Sequence, residues 1–234
     1  MEVASRLSIA HYRLMLPSSN APSPQLHAVV EAEVDENCDW IRCPPKPWPR
    51  YIRLWAQTEP EAVALVVGTL ATWGRDAEAW SAQALEKEFP CAAPGGIAAV
   101  DGKTLIGPSC CCGLEDWRQW LEILATGRSP WMGHDPTPFV KIQADQVCIW
   151  ADGGFGGTPQ TSVDFSVSGF EAAIGQAARD LAEFEVPLRE WLNSHAPKYA
   201  ESLARQFRER FISSEETPAP KQYNSTLFVF KRKT

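Results

Sequence analysis

Three consecutive cysteines, Cys110, Cys111 and Cys112, are the residues of this sequence best suited to chemistry. They come directly before a segment that predicts a helix. Backbone N–H groups and the dipole at a helix N-terminus lower the pKa of a thiol, and the resulting thiolate is a nucleophile or a metal ligand. In an extended backbone, Cys110 and Cys112 would point to one side and Cys111 to the other.

A zinc site is one use of these thiols. Cys110 and Cys112 would supply two ligands, His134 and Cys148 two more, and Asp135 offers a further oxygen. The spacing differs from the paired C-x₂₋₄-C knuckles of structural zinc sites. The alternative is that the cysteines are small, semi-apolar residues that pack a tight turn from strand to helix. On that interpretation, which we favour, the protein needs no cofactor.

The motif Gly133-His134-Asp135-Pro136 offers a second kind of chemistry. His134 could act as a general base oriented by Asp135, and a nearby cysteine would complete a thiol–imidazole pair. Neighbouring side chains usually diverge, however, so the favoured interpretation is that His134 or Asp135 bonds to the loop backbone and builds a turn. We therefore assign no catalytic residue.

Composition narrows the classes of partner. The net charge of −7 argues against nucleic-acid binding, which normally needs a basic face, and suits a basic protein partner. No apolar run is long enough to span a membrane, and the N-terminus does not have the pattern of a signal peptide. Seven cysteines then predict a reducing, cytoplasmic setting. The sequence does not indicate an oligomeric state.

The pattern of the chain predicts one α+β domain over 1–234, with a candidate sub-boundary near 90–96. We expect an antiparallel or mixed sheet of hairpins, helices on one face, and a C-terminal helical hairpin at 170–212. The predicted strands are 5–16, 27–34, 51–56, 97–100, 104–106, 139–142, 147–150, 161–167 and 226–230, and the predicted helices are 59–73, 76–89, 114–125, 170–193 and 197–211.

Two helices carry apolar stripes that predict which residues face the core. In 114–125 the inward residues would be Leu114, Trp117, Leu121 and Leu124. In 170–193 apolar residues recur at alternating spacings of four and three, with Pro187 expected to kink the helix. The stripe consists of Phe170, Ile174, Ala177, Leu181, Phe184, Leu188 and Trp191.

The central segment also carries a resemblance. The run PSCCCGLEDWRQW at 108–120, followed by SPWMGHDPTP at 129–138, resembles uncharacterised bacterial proteins with a CCxGLExWxxW…HDPxP signature. These look like the small α+β immunity proteins that accompany bacterial toxins. The resemblance covers about fifty residues and implies a stoichiometric inhibitor that occludes a cognate toxin. It carries over no catalytic residues.

We therefore expect a cytosolic protein that binds a protein partner without turnover. Trp131, in a proline-bounded loop, is the predicted main contact, with Trp48 second and His134 and Asp135 beside Trp131. The alternative is a zinc-binding or thiol-dependent enzyme centred on Cys110, Cys112 and His134. A third interpretation is a component of a larger assembly.

Overall fold

The protein is described here by a computed structural model that covers residues 23–34, 38, 40, 41, 43, 44, 46–153 and 161–213. It has the predicted α+β architecture, but the strands form two antiparallel sheets instead of one. The expected strands at 5–16 and 226–230, and most of the glycine-rich linker at 153–159, lie outside the described residues.

The first sheet has four strands in the order β2-β1-β3-β4. The bounds are β1 Gln25–Glu31, β2 Tyr51–Arg53, β3 Gly95–Asp101 and β4 Thr104–Ile106. The predicted β3–β4 hairpin is confirmed, and its turn uses Gly102 at φ +55°. Among the described residues, the partners of β1 are β2 and β3.

The second sheet has three strands in the order β5-β6-β7. They are β5 Phe139–Gln143, β6 Gln146–Trp150 and β7 Ser162–Ser166. The β5–β6 hairpin and the β7 strand are confirmed. Alternation along β7 buries Val163 and Phe165, because successive side chains of a strand point to opposite faces.

Helix α1, Pro60–Thr72, is confirmed and lies deep in the protein. All ten residues of 63–72 are buried, which is typical of a helix that is apolar all round. The next predicted helix, 76–89, is instead divided into a 3₁₀ turn at Ala77–Ala79 and helix α2 at Ala82–Lys87. Ser81 is the N-cap of α2, since its hydroxyl accepts a hydrogen bond from the Ala84 amide at 3.1 Å. Helix α2 therefore begins after Ser81 and is separate from the 3₁₀ turn.

The segment that follows the cysteines is a 3₁₀ helix over Leu114–Glu122, continued by the short helix α3, Ile123–Thr126. A 3₁₀ helix has three residues per turn, so residues three apart share a face. The predicted inward stripe, based on α-helical spacing, is therefore wrong at Leu121, which is 51% exposed. The buried residues are Leu114, Trp117, Trp120 and Ile123.

The C-terminal helices are α4 Val167–Glu183, α5 Glu185–His195 and α6 Ala200–Phe207, with a π-helical turn at Arg208–Ile212. Every residue of the predicted stripe from Phe170 to Trp191 is buried. The break between α4 and α5 falls at Phe184, three residues before Pro187. Proline has no N–H to donate to the carbonyl of the preceding turn, so the helix is interrupted upstream of Pro187.

One hydrophobic cluster contains residues of both sheets and of the helices, on both sides of 90–96. The cluster includes Val67 and Leu85 before that segment and Ile97, Phe165 and Phe207 after it. Across the described part of the chain, every helix is too short or too polar to cross a membrane.

Candidate functional site

A short antiparallel pairing brings the cysteine run and the His134 loop together. The Ser109 amide donates to the Met132 carbonyl at 2.7 Å, and the His134 amide donates to the Cys110 carbonyl at 3.2 Å. The Ser109 hydroxyl adds a bond to the His134 carbonyl at 2.7 Å. Cys110 and His134, 24 positions apart in the sequence, are thus fixed side by side.

Gly133 makes this pairing possible. Its φ is +93°, a conformation that side chains with a Cβ rarely adopt. A Cβ at this position would lie 2.4 Å from the Cys110 carbonyl oxygen and 2.6 Å from the Ser109 carbonyl carbon. Only glycine lets the two backbone segments approach this closely.

Cys111 changes the direction of the cysteine run. Its φ is +62°, so the extended alternation assumed in the sequence analysis does not apply. One ligand atom each of Cys110, Cys111 and His134 lie within 4.8 Å of one another. We call these three residues the cysteine–histidine cluster. Both cysteines are exposed, and the His134 side chain is 42% exposed.

Cys112 turns inward and is not part of the cluster. Its thiol donates to the Trp131 carbonyl at 3.4 Å. Burial, together with the charges of Asp116 and Glu115, raises the pKa of this thiol to about 12. The prediction of packing cysteines therefore describes Cys112, whereas Cys110 and Cys111 lie at the surface.

Cys148, the predicted fourth ligand, lies in the second sheet. It is 5% exposed and faces Lys141 and Asp164 across β5 and β7. Burial and a hydrogen bond to Asp164 raise the pKa of its thiol to about 11. Among the described residues, the group of three potential ligands that lie together is the cysteine–histidine cluster, and it includes neither Cys112 nor Cys148.

The imidazole of His134 contacts two groups through the same nitrogen. Nδ1 lies 3.0 Å from Cys110 Sγ and 3.1 Å from Asp135 Oδ2, while Nε2 lies 3.9 Å from the same sulfur. The Cys110 thiol also reaches the His134 carbonyl at 2.6 Å. Because a sulfur and a carboxylate both face Nδ1, the network favours the tautomer with its proton on Nδ1 and a lone pair on Nε2.

Asp135 is thus bonded to its neighbour, contrary to the expectation that adjacent side chains diverge. Its φ of +58° turns the carboxylate back toward the ring of His134. The Asp135 side chain is 91% exposed and remains in contact with solvent.

Tyr51 of β2, and Arg50 directly before it, lie next to this site. Tyr51 donates a hydrogen bond of 2.5 Å to the Pro108 carbonyl, just before the cysteine run, and burial raises the pKa of its hydroxyl to about 12. Arg50 lies close enough for its charge to interact with Cys110. Burial lowers the pKa of the Arg50 guanidinium, but the bond to Glu31 and the charges of Tyr51 and Cys110 raise it more.

Trp131 is half-buried and held by two hydrogen bonds. Its indole Nε1 donates to the Cys111 carbonyl at 2.8 Å, and its amide donates to Gln119 Oε1 at 3.1 Å. The ring meets that of His134 edge-on, with centroids 6.2 Å apart. Trp48 is also half-buried, but its indole donates to the Pro44 carbonyl at 2.6 Å, within its own proline-rich loop.

The other tryptophans of the signature belong to the core. Trp117 Nε1 donates to the Phe211 carbonyl at 2.7 Å, and Arg118 donates to the Ser213 carbonyl, so both tie the 3₁₀ helix to the C-terminal segment. Trp120 stacks on Phe170. Neither the structural role of Gly133 nor the place of Cys111 in the cluster was predicted from the sequence. A glycine directly before His134 is the sequence feature that could have indicated the close approach of the two segments.

Comparison with known proteins yields no match: no family model fits the chain, and neither a curated protein nor a solved structure is significantly similar to it.

Proposed function

We propose that this protein binds a protein partner and acts as an immunity-type inhibitor of a bacterial toxin in the cytosol. The supporting observation is the loop 129–138, which presents Trp131, His134 and Asp135 side by side at the surface. We call this segment the signature loop. Bonds to Cys111 and Gln119 hold Trp131 in place, so little entropy is lost when a partner covers it.

Charge supports the same proposal. The net charge of −7 favours association with a basic protein surface, and nucleic-acid-directed toxins are basic. The exposed carboxylate of Asp135 adds a negative group at the signature loop. Binding by occlusion needs no catalytic group at this loop.

The experiment is a growth assay followed by a binding measurement. Proteins encoded beside this gene are expressed in a laboratory bacterium, and any that stops growth is co-expressed with this protein. We expect growth to recover and the two chains to purify as a stoichiometric complex. If no neighbouring product is toxic, or if co-expression never restores growth, the proposal is wrong.

Two tryptophan variants then locate the contact. Trp131→Ala is expected to raise the Kd about 30-fold, equivalent to ~2 kcal/mol, because a central aromatic contact is lost. Trp73→Ala is the matched control, because Trp73 is also partly exposed, at 39%, but lies at the C-terminal end of helix α1 and not in the signature loop. Equal effects of the two changes would contradict a contact through the signature loop.

A thiol-dependent enzyme is the second candidate, favoured by the 3.0 Å separation of Cys110 Sγ and His134 Nδ1. This function requires Cys110 to be far more reactive than an ordinary exposed thiol. The rates of alkylation of Cys110 and of the exposed Cys91 test this directly. A rate for Cys110 more than about 100-fold higher favours the enzyme, and similar rates exclude it.

A further inference from the structure

The cysteine–histidine cluster has the donor set of a transition-metal site. Two thiols and an imidazole are soft and borderline ligands, which suit zinc and similar ions and do not suit magnesium or calcium. One donor atom of each residue lies within 4.8 Å of the others, and all three residues are accessible to solvent. An ion could therefore reach the site without any opening of the fold.

The spacing of the donors is close to what zinc requires. A tetrahedral ion with Zn–S of about 2.3 Å and Zn–N of about 2.0 Å separates its sulfur and nitrogen ligands by about 3.5 Å. His134 Nε2 is 3.9 Å from Cys110 Sγ. That distance is within about 0.5 Å of the separation that a tetrahedral zinc ion needs.

The second nitrogen of the ring is already used in the way that metal sites use it. Histidine ligands usually donate their other N–H to a carboxylate, which fixes the tautomer and orients the ring. His134 Nδ1 lies 3.1 Å from Asp135 Oδ2. This contact is the one that a histidine bound to a metal through Nε2 would make.

The backbone makes this arrangement specific to two of the three cysteines. The positive φ of Cys111 places its sulfur near that of Cys110, and the pairing through Gly133 brings His134 beside them. Cys112 points the other way, toward the Trp131 carbonyl. The donor set therefore differs from one that strand alternation would predict.

We propose that the protein binds one Zn²⁺ ion through Cys110 Sγ, Cys111 Sγ and His134 Nε2, with Asp135 as the carboxylate that orients His134. Binding displaces the two thiol protons to solvent. A tetrahedral ion has a fourth position, which water fills in the isolated protein. This inference depends on the cluster alone and does not require that the protein be a toxin inhibitor.

The test uses metal-free, reduced protein titrated with Co²⁺ and then with Zn²⁺. We expect cobalt to produce thiolate charge-transfer absorption and the intense visible bands of tetrahedral coordination, saturating at one equivalent. Zinc should then abolish both signals, and the displacement curve gives its affinity. Featureless spectra during the cobalt titration would overturn the proposal.

Four variants identify the ligands. Cys111→Ser is expected to weaken zinc binding by about 100-fold, and Asp135→Asn by about 10-fold because the orienting contact is weakened. Cys91→Ser removes a different exposed thiol and should leave the affinity unchanged. Cys112→Ser should also leave it unchanged.

Circular dichroism of each variant shows whether it is folded. A loss of binding in Cys91→Ser or Cys112→Ser, or full affinity in folded Cys111→Ser, would contradict the ligand set.

Discussion

The signature segment, residues 108–138, has two parts with opposite environments, although both contain cysteine and tryptophan. Cys110, Cys111 and Asp135 are exposed, and Trp131 and His134 are partly exposed. Cys112 through Trp120 turn into the core, where Trp117 is 6% and Trp120 3% exposed. Residue type does not distinguish the halves; backbone geometry does.

The dividing point is Cys111. A positive φ at this residue sends one pair of sulfurs outward and the third inward, within a run of three identical side chains. The 3₁₀ helix that follows then buries every third residue against the C-terminal helices. Exposed and buried side chains are thereby separated within residues 110–120, which predicts that substitutions on the two sides have different effects on stability.

The largest expected difference is between two tryptophans. Trp117→Ala should lower the free energy of unfolding by about 3–5 kcal/mol, because it opens a cavity and leaves the Phe211 carbonyl without its donor. Trp131→Ala should cost about 1 kcal/mol or less, since the ring is half in solvent. Urea denaturation measures both, and equal losses would show that Trp131 is core.

The buried His27 of β1, outside this segment, should make the stability of the protein depend on pH. Burial, and then the charge of Arg53, lowers the pKa of His27 to about 4, despite the opposing charge of Asp180. In the unfolded chain His27 binds a proton near pH 6.5, whereas in the folded chain it does so only near pH 4. Stability is therefore lost as pH falls from about 6.5 toward 4. Titration of His27 should lower the free energy of unfolding by about 2–3 kcal/mol between pH 7 and pH 4.5.

His27→Leu should remove this part of the pH dependence, as measured by urea midpoints at pH 7 and pH 4.5. The carboxylate of Glu185 titrates lower, because hydrogen bonds from Arg208 and Arg189 hold its pKa at about 2. Its contribution is lost only below about pH 4.5, as pH falls toward 2. An unchanged slope in His27→Leu between pH 7 and 4.5 would contradict the assignment to His27.

A pair of glycine substitutions tests how the surface half is held together. Gly133→Ala adds an unfavourable φ and a contact of 2.4 Å with the Cys110 carbonyl, whereas Gly102→Ala adds only an unfavourable φ of +55°. We expect losses of about 2–3 kcal/mol and about 1 kcal/mol, respectively. Hydrogen exchange of the His134 amide should accelerate only in Gly133→Ala; acceleration in both would mean that the close approach is unimportant.

The smallest expected effect is at Leu121, which an α-helical pattern would place in the core. It is 51% exposed in the 3₁₀ helix. Leu121→Ala should therefore change the free energy of unfolding by no more than about 0.5 kcal/mol. A loss above about 2 kcal/mol, as expected of a buried leucine, would indicate an α-helix in solution.

Sequence patterns predicted the fold where local chemistry determines it. The hairpin at Asp101-Gly102, the stripe from Phe170 to Trp191 and helix α1 all follow from turn residues and periodicity. The 3₁₀ helix at 114–122 was missed because residues three apart, such as Leu114 and Trp117, lie near one another in an α-helix as well as in a 3₁₀ helix. The division of the strands into two sheets depends on tertiary packing that no local pattern contains.

The candidate site was predicted only in part. Cys110 and His134 were identified from residue type, and the structure brings them together. The third member, Cys111, was missed because its positive φ reverses strand alternation, and such an angle is rare outside glycine. Cys148 was included for its chemistry alone, and it lies in β6, opposite Lys141 and Asp164.

The measurement that tests the central claim most directly is timed alkylation of the reduced native protein, with each cysteine followed by mass spectrometry. The account predicts rapid labelling of the exposed Cys110 and Cys111, and labelling of Cys112 and Cys148 only when urea unfolds the chain. Labelling of Cys112 at the rate of its two neighbours would contradict the turn at Cys111, on which the proposed site depends.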